Sequence, residues 1–224
     1  MSGAAWSAVD DYIGAHLLGQ DEALEATLAA NAAGGLAAID VSAAQGKMLH
    51  LFARMAGARR ILEVGTLGGY STIWLARALP EDGQLVTLEL EPHHAEVARG
   101  NINRAGLAEL VDVRAGRAIE TLDAMIAAGE GPFDLIFIDA DKPNNVAYLR
   151  AAIALGRPGT TIVVDNVVRA GGVLDADSAD PSIQGTRALF EAVAAEPRLS
   201  ATAVQTVGDK TWDGFLLAVL GAAG

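Results

Sequence analysis

The chain has 224 residues, 51% of them apolar, with 28 acidic against 16 basic side chains, a formal charge of −12 and no cysteine. That length suits one domain with a sizeable core. The absent cysteines exclude disulfides, a thiol nucleophile and thiolate-held zinc or iron–sulfur clusters, and the acidic balance argues against a nucleic-acid or anionic-membrane partner.

The segment from Met1 to Asp11 lacks the basic residues and long apolar run of a signal peptide. No later stretch approaches the ~18 consecutive apolar residues of a spanning helix. A soluble, cytoplasmic chain is expected. Residues from Trp6 to about Asn31 carry Val9, Ile13, Leu17, Leu18, Leu24 and Leu28 at helical spacing, and Gly34-Gly35 breaks that pattern. Ser42 stands at a helix N-cap position, ahead of Met48, Leu49, Phe52 and Met55 on one face, with Gly57 marking the end.

From Arg59 the pattern changes. Short apolar runs at Ile61–Val64, Leu85–Leu90, Leu110–Val113, Leu135–Ile138 and Thr161–Val164 alternate with helical segments at Ser71–Leu79, Pro92–Ala105, Ala118–Ala128 and Asn145–Leu155. Continuous apolar runs alternating with helices predict an α/β fold, with a parallel sheet covered by helices on both faces. A further helix is expected at Ser182–Ala195. The runs Ala201–Val207 and Thr211–Leu220, joined by Gly208-Asp209-Lys210, read as a closing antiparallel hairpin. No linker divides the chain, so one domain is expected, with a helical segment at 1–57 and an α/β core at 58–224. Gly171–Pro181 is the most loop-like stretch.

Four motifs fall at strand ends. Glu63-Val64-Gly65-Thr66-Leu67-Gly68-Gly69-Tyr70-Ser71 follows the first strand and opens a helix, where glycines admit a ligand to the backbone and free N–H groups face it. Its Gly-x-x-Gly-Gly spacing is neither a dinucleotide fingerprint nor a P-loop. Glu89 ends the second strand, where an acid commonly binds ribose hydroxyls, and Glu91 competes for that role. Asp139-Ala140-Asp141-Lys142-Pro143 ends the fourth strand and Asp165-Asn166-Val167 the fifth. Ligands bind beyond the carboxyl ends of such strands, so all four motifs aim at one mouth. Asp139, Asp165 and Asn166 offer oxygen donors suited to Mg²⁺, Mn²⁺ or Ca²⁺. Read separately, each is also compatible with an Asx turn or helix cap. Lys142 reads as a general base or as a surface ion pair. His93-His94 reads as exposed helix-start residues. Arg169 and Trp212 are candidates for a substrate pocket, with strand packing the plainer reading of Trp212.

Together, Glu63–Ser71, Thr87-Leu88-Glu89, Asp139-Ala140-Asp141-Lys142 and Asp165-Asn166 resemble the metal-dependent, S-adenosylmethionine-using O-methyltransferases, the group containing catechol and caffeoyl-coenzyme A O-methyltransferases. The resemblance runs from about Val41 to the end, including Val207-Gly208-Asp209 and Trp212-Asp213-Gly214 of bacterial members. It implies a class I methyltransferase sheet. Val41, Glu63, Gly65, Thr66, Gly69, Ser71, Glu89, Gly116, Ala118 and Asp139 would then bind the cofactor. Asp139, Asp165 and Asn166 would hold a divalent cation, Mg²⁺ first, and Lys142 would be catalytic. Asp141, Arg169 and Trp212 would face the substrate, a small molecule with vicinal hydroxyls, and the protein would be a homodimer. The segment Val167–Gly172 matches neither the plant Trp-Asn nor the animal Ile-Cys-Pro pattern, so the substrate stays open. A non-catalytic cofactor-binding protein and an NAD(P)-dependent oxidoreductase are the alternatives.

Overall fold

In the computed structural model, which describes residues 3–222, five short strands run parallel. They are β1 (Arg60–Val64), β2 (Gln84–Glu89), β3 (Val111–Ala115), β4 (Leu135–Ile138) and β5 (Thr161–Asp165). Two longer strands, β6 (Leu199–Gly208) and β7 (Thr211–Leu220), form the expected hairpin. All seven make one sheet in the order β3-β2-β1-β4-β5-β7-β6, with β7 antiparallel to both neighbours.

The apolar runs become strands because both faces are covered. Ile61, Leu135 and Phe137 face one helical layer, made of α3 (Ala43–Met55), α4 (Tyr70–Ala76) and α5 (Pro92–Arg104). Leu62, Ile136 and Ile138 face the other, made of α6 (Ala118–Ala127), α7 (Asn145–Leu155) and α8 (Pro181–Ala195). Each of these six strand side chains is fully buried, which stabilises the fold by about 1.5–3 kcal/mol apiece.

The N-terminal segment departs from expectation. The helical stretch from Trp6 to Asn31 is two helices, α1 (Gly3–Ile13) and α2 (Glu22–Ala33), with a five-residue π-helical turn at Gly14–Leu18 extending α1. Gly19, at φ +69°, ends the first piece. Asp21 starts the second, its carboxylate accepting the Leu24 N–H at 3.1 Å. A local cap thus overrides the continuous spacing. The apolar stripe is not a buried face either: Val9, Leu17 and Leu28 are exposed, while Leu24 is buried. Ser42 does cap α3, accepting from the Gln45 N–H at 3.2 Å. Among the described residues no helix is long and apolar enough to cross a membrane.

Strand order reverses between β1 and β4: from β1 the chain builds outward through β2 and β3, and from β4 outward through β5. The loops leaving β1 and β4 therefore diverge, opening a crevice at their carboxyl ends. Gly65 and Asp139, the first residues beyond those strands, meet there. The Asp139 N–H donates to the Val64 carbonyl at 2.8 Å. Gly65 has φ +100°, and a Cβ added to it would lie 2.1 Å from the Asp139 carbonyl oxygen, so only glycine fits.

Candidate functional site

That crevice opens into a cavity of about 840 Å³, walled by the ends of β1, β2, β4 and β5, the start of α6, and residues 38–45. Gly65, Thr66 and Ser71 line it from the first motif, Glu89 from the second, Asp139, Asp141 and Lys142 from the third, and Asp165 and Asn166 from the fourth. Val41, Ala118 and Arg169 also line it.

Glu63, Gly69, Gly116 and Trp212 do not. Glu63 is fully buried below the loop, accepting hydrogen bonds from the hydroxyls of Ser71 (2.6 Å), Thr87 (2.7 Å) and Thr72. Burial pushes its carboxyl up to about 7 against the opposing effect of those hydroxyls. It therefore acts on the pocket through Ser71. Gly69 has φ +86° and sits at the N-cap of α4, behind the wall. Gly116 follows β3, and it is its neighbours Arg117 and Ala118 that reach the cavity. Trp212 packs against Gly171 and donates from Nε1 to Gln205 Oε1 at 3.0 Å.

Glu89 is held from several sides. Its Oε2 accepts the N–H groups of Thr66 (3.2 Å) and Leu67 (2.8 Å), and its Oε1 accepts that of Glu91 (3.0 Å). The competing Glu91 is exposed, whereas Glu89 is 7% exposed. His94 Nδ1 lies 3.4 Å from Glu89 Oε1, so His94 is a pocket residue rather than a bare helix start. His93 is exposed, as expected. The histidine pair carried no usable signal, because adjacent residues on α5 face different ways.

At the other end of the cavity the charges converge. Lys142 is 6% exposed, and its Nζ donates to Asp139 Oδ1 at 2.9 Å. Asp165 is 5% exposed; its Oδ1 accepts the Asn166 N–H at 2.8 Å and its Oδ2 accepts from Gln45 Nε2 at 2.7 Å. Burial first, and then the charge of Asp139, push the Asp165 carboxyl up to about 7, with Lys142 opposing. Asn166 has φ +57°, a left-handed conformation that asparagine tolerates. Asp141 is committed elsewhere, accepting from Tyr148 Oη and Asn144 Nδ2, each at 2.5 Å. Burial, and then the neighbouring Asp141, raise the Tyr148 phenol above its ordinary range.

Among the described residues, no three His, Asp or Glu side chains cluster as a metal site. The donor set is instead two mutually repelling carboxylates and an amide. Hard oxygen donors carrying repulsion that a positive charge would relieve fit a hard divalent cation. Gln45, Tyr148, His94 and Lys210 were missed from the sequence, since each reaches the mouth only through tertiary packing.

The sequence profile of the O-methyltransferase family matches residues 17–218. A catechol O-methyltransferase of Mycobacterium tuberculosis is 55% identical over 95% of this chain and 94% of its own. An O-methyltransferase from Bacillus cereus, solved in complex with SAH, is 54% identical with a TM-score of 0.96, covering 98% of this chain and 100% of that one. TomG from Streptomyces achromogenes, involved in tomaymycin synthesis and solved in complex with SAM, is 47% identical with a TM-score of 0.96, covering 99% of this chain and 100% of that one. This likeness sets aside the oxidoreductase and the non-catalytic readings. With a family profile spanning most of its length and relatives matching nearly all of it, the chain belongs to the O-methyltransferase family.

Proposed function

We propose that this O-methyltransferase moves a methyl group from S-adenosylmethionine to one hydroxyl of a small molecule bearing two vicinal hydroxyls, with a divalent cation held by Asp139, Asp165 and Asn166. The observation that carries the reading is the convergence of Lys142, Asp139, Asp165 and Asn166 at one end of the cavity, with Glu89 and the glycine loop lining it as well. The names of the relatives support the substrate class and the bound cofactor.

When bound, the cofactor supplies a methyl group activated on sulfonium, and the cation supplies a Lewis acid for the diol. The chain's own residues do the rest. Glu89 presents an oriented carboxylate to ribose hydroxyls. Gly65 and Thr66 offer loop backbone, and Ser71 is oriented by Glu63. Val41 and Ala118 add apolar walls that exclude water. Lys142, with its amine in the neutral form, would take the proton of the reacting hydroxyl at Nζ. Asp139, 2.9 Å away, fixes the direction of that amine. A second copy of the chain is the partner proposed for the exposed Val9, Tyr12 and Leu17, and sedimentation tests it.

The test of the reaction compares catechol with phenol, using purified protein, S-adenosylmethionine and Mg²⁺. Turnover of catechol at least a hundredfold above phenol supports the reading. Equal turnover of both would contradict a site built for a vicinal diol.

A further inference from the structure

The chain carries a surplus of twelve acids, yet among the described residues two cations in the cavity wall, Arg169 and Lys210, form no ion pair. Arg117, also in the wall, is paired with Glu120 at 3.1 Å. Lys210 reaches the Ala38 carbonyl at 3.3 Å, and its charge acts on the half-buried Asp40, so it is partly offset. Arg169 is not: among the described residues its guanidinium makes no hydrogen bond, and its backbone N–H donates to Asp213 Oδ1.

The backbone at Arg169 is costly. Arg169, Ala170 and Gly171 all have positive φ, at +56°, +52° and +85°. The two non-glycine residues each pay on the order of 1–2 kcal/mol for that conformation. It persists because the surroundings impose it. Asp213 Oδ1 accepts both the Val168 N–H (3.0 Å) and the Arg169 N–H (2.9 Å). Trp212 lies against Gly171, where an added Cβ would meet its ring at 3.0 Å. Strain held in place by neighbours, on a residue in a pocket wall, marks a side chain whose position matters.

Arg169 is three residues beyond Asn166, on the loop leaving β5. It therefore stands beside the place where the diol would bind, on the side away from Glu89. We propose that this enzyme selects vicinal diols that carry an anionic substituent, a ring-borne carboxylate, and that Arg169 is the group that reads it, with Lys210 adding positive potential. A planar guanidinium matches a carboxylate with two parallel N–H donors. A partnerless guanidinium at the mouth has no comparable use for a neutral diol. The inference rests on the methyl-transfer reading above and narrows its substrate class.

The test measures kcat/KM for 3,4-dihydroxybenzoate and for catechol with the full chain, S-adenosylmethionine and Mg²⁺, and takes their ratio. The wild-type ratio is expected to exceed one. Arg169→Gln should lower it at least tenfold, mainly through KM for the benzoate, and Arg169→Lys should restore part of it. In the wild-type protein, raising NaCl should increase KM for the benzoate more than for catechol, because the attraction is screened. That arm needs no variant to fold. A ratio unmoved by Arg169→Gln and by salt, with catechol still methylated, overturns the anionic class and leaves the methyl-transfer reading standing. Failure of the wild-type protein to methylate either diol overturns both.

Discussion

Lys142 Nζ and Asp139 Oδ1 lie 2.9 Å apart, with the lysine side chain 8% and the aspartate side chain 24% exposed. Burial sets this pair apart from an exposed surface ion pair and supports the proton-transfer role proposed for Lys142. Lys142→Met should lower kcat for catechol methylation by about 10²–10⁴-fold, the range of a lost general base. Single-turnover kinetics on the variant checks this. A loss of less than about tenfold would leave Lys142 without that role.

The buried Glu63 gives a pH signature to stability. Its folded pKa of about 7 exceeds the ordinary 4.5, so the native state holds the proton more tightly than the unfolded chain. The sign follows: its contribution is full below about pH 4.5 and is lost as pH rises through about 7. The span is on the order of 3 kcal/mol. Urea unfolding from pH 5 to pH 8 should show that decline in the wild-type protein, and a flatter profile for Glu63→Gln.

Gly65→Ala places a Cβ against the Asp139 carbonyl in a backbone that L side chains avoid. The loops after β1 and β4 must then separate. A stability loss of about 2 kcal/mol or more is expected, together with weakened S-adenosylhomocysteine binding. Thermal unfolding and calorimetric titration measure the two effects.

Asp213 tethers the loop that carries Arg169 through two backbone N–H groups. Asp213→Ala leaves both donors without their acceptor, at a cost of about 1–3 kcal/mol. Chemical denaturation gives the value. Hydrogen exchange should locate the loosening at residues 167–172.

The sheet was legible because β1, β4 and β5 are buried on both faces, so continuous runs such as Leu135–Ile138 have no other stable use. The motif residues were legible because topology brings strand carboxyl ends together. What escaped is tertiary. Glu63 sits in the same motif as Gly65, but it lies inside β1 with its carboxylate held in the core by Ser71, Thr72 and Thr87, whereas Gly65 lies just beyond the strand end and lines the cavity. His94, Gln45 and Lys210 come from α5, α3 and the β6–β7 turn, and no local spacing ties them to Glu89 or Asp165. The split between α1 and α2 was hidden because Leu17 and Leu18 keep helical spacing up to the break at Gly19.

The proposed reaction depends on a cation held at the cavity end by two carboxylates and an amide. The measurement is the rate of catechol methylation after treatment with EDTA, followed by addition of excess Mg²⁺. Loss of at least about 95% of the rate, an order-of-magnitude threshold for an essential Lewis acid, is expected, with recovery on adding Mg²⁺. A rate unchanged by EDTA would contradict it.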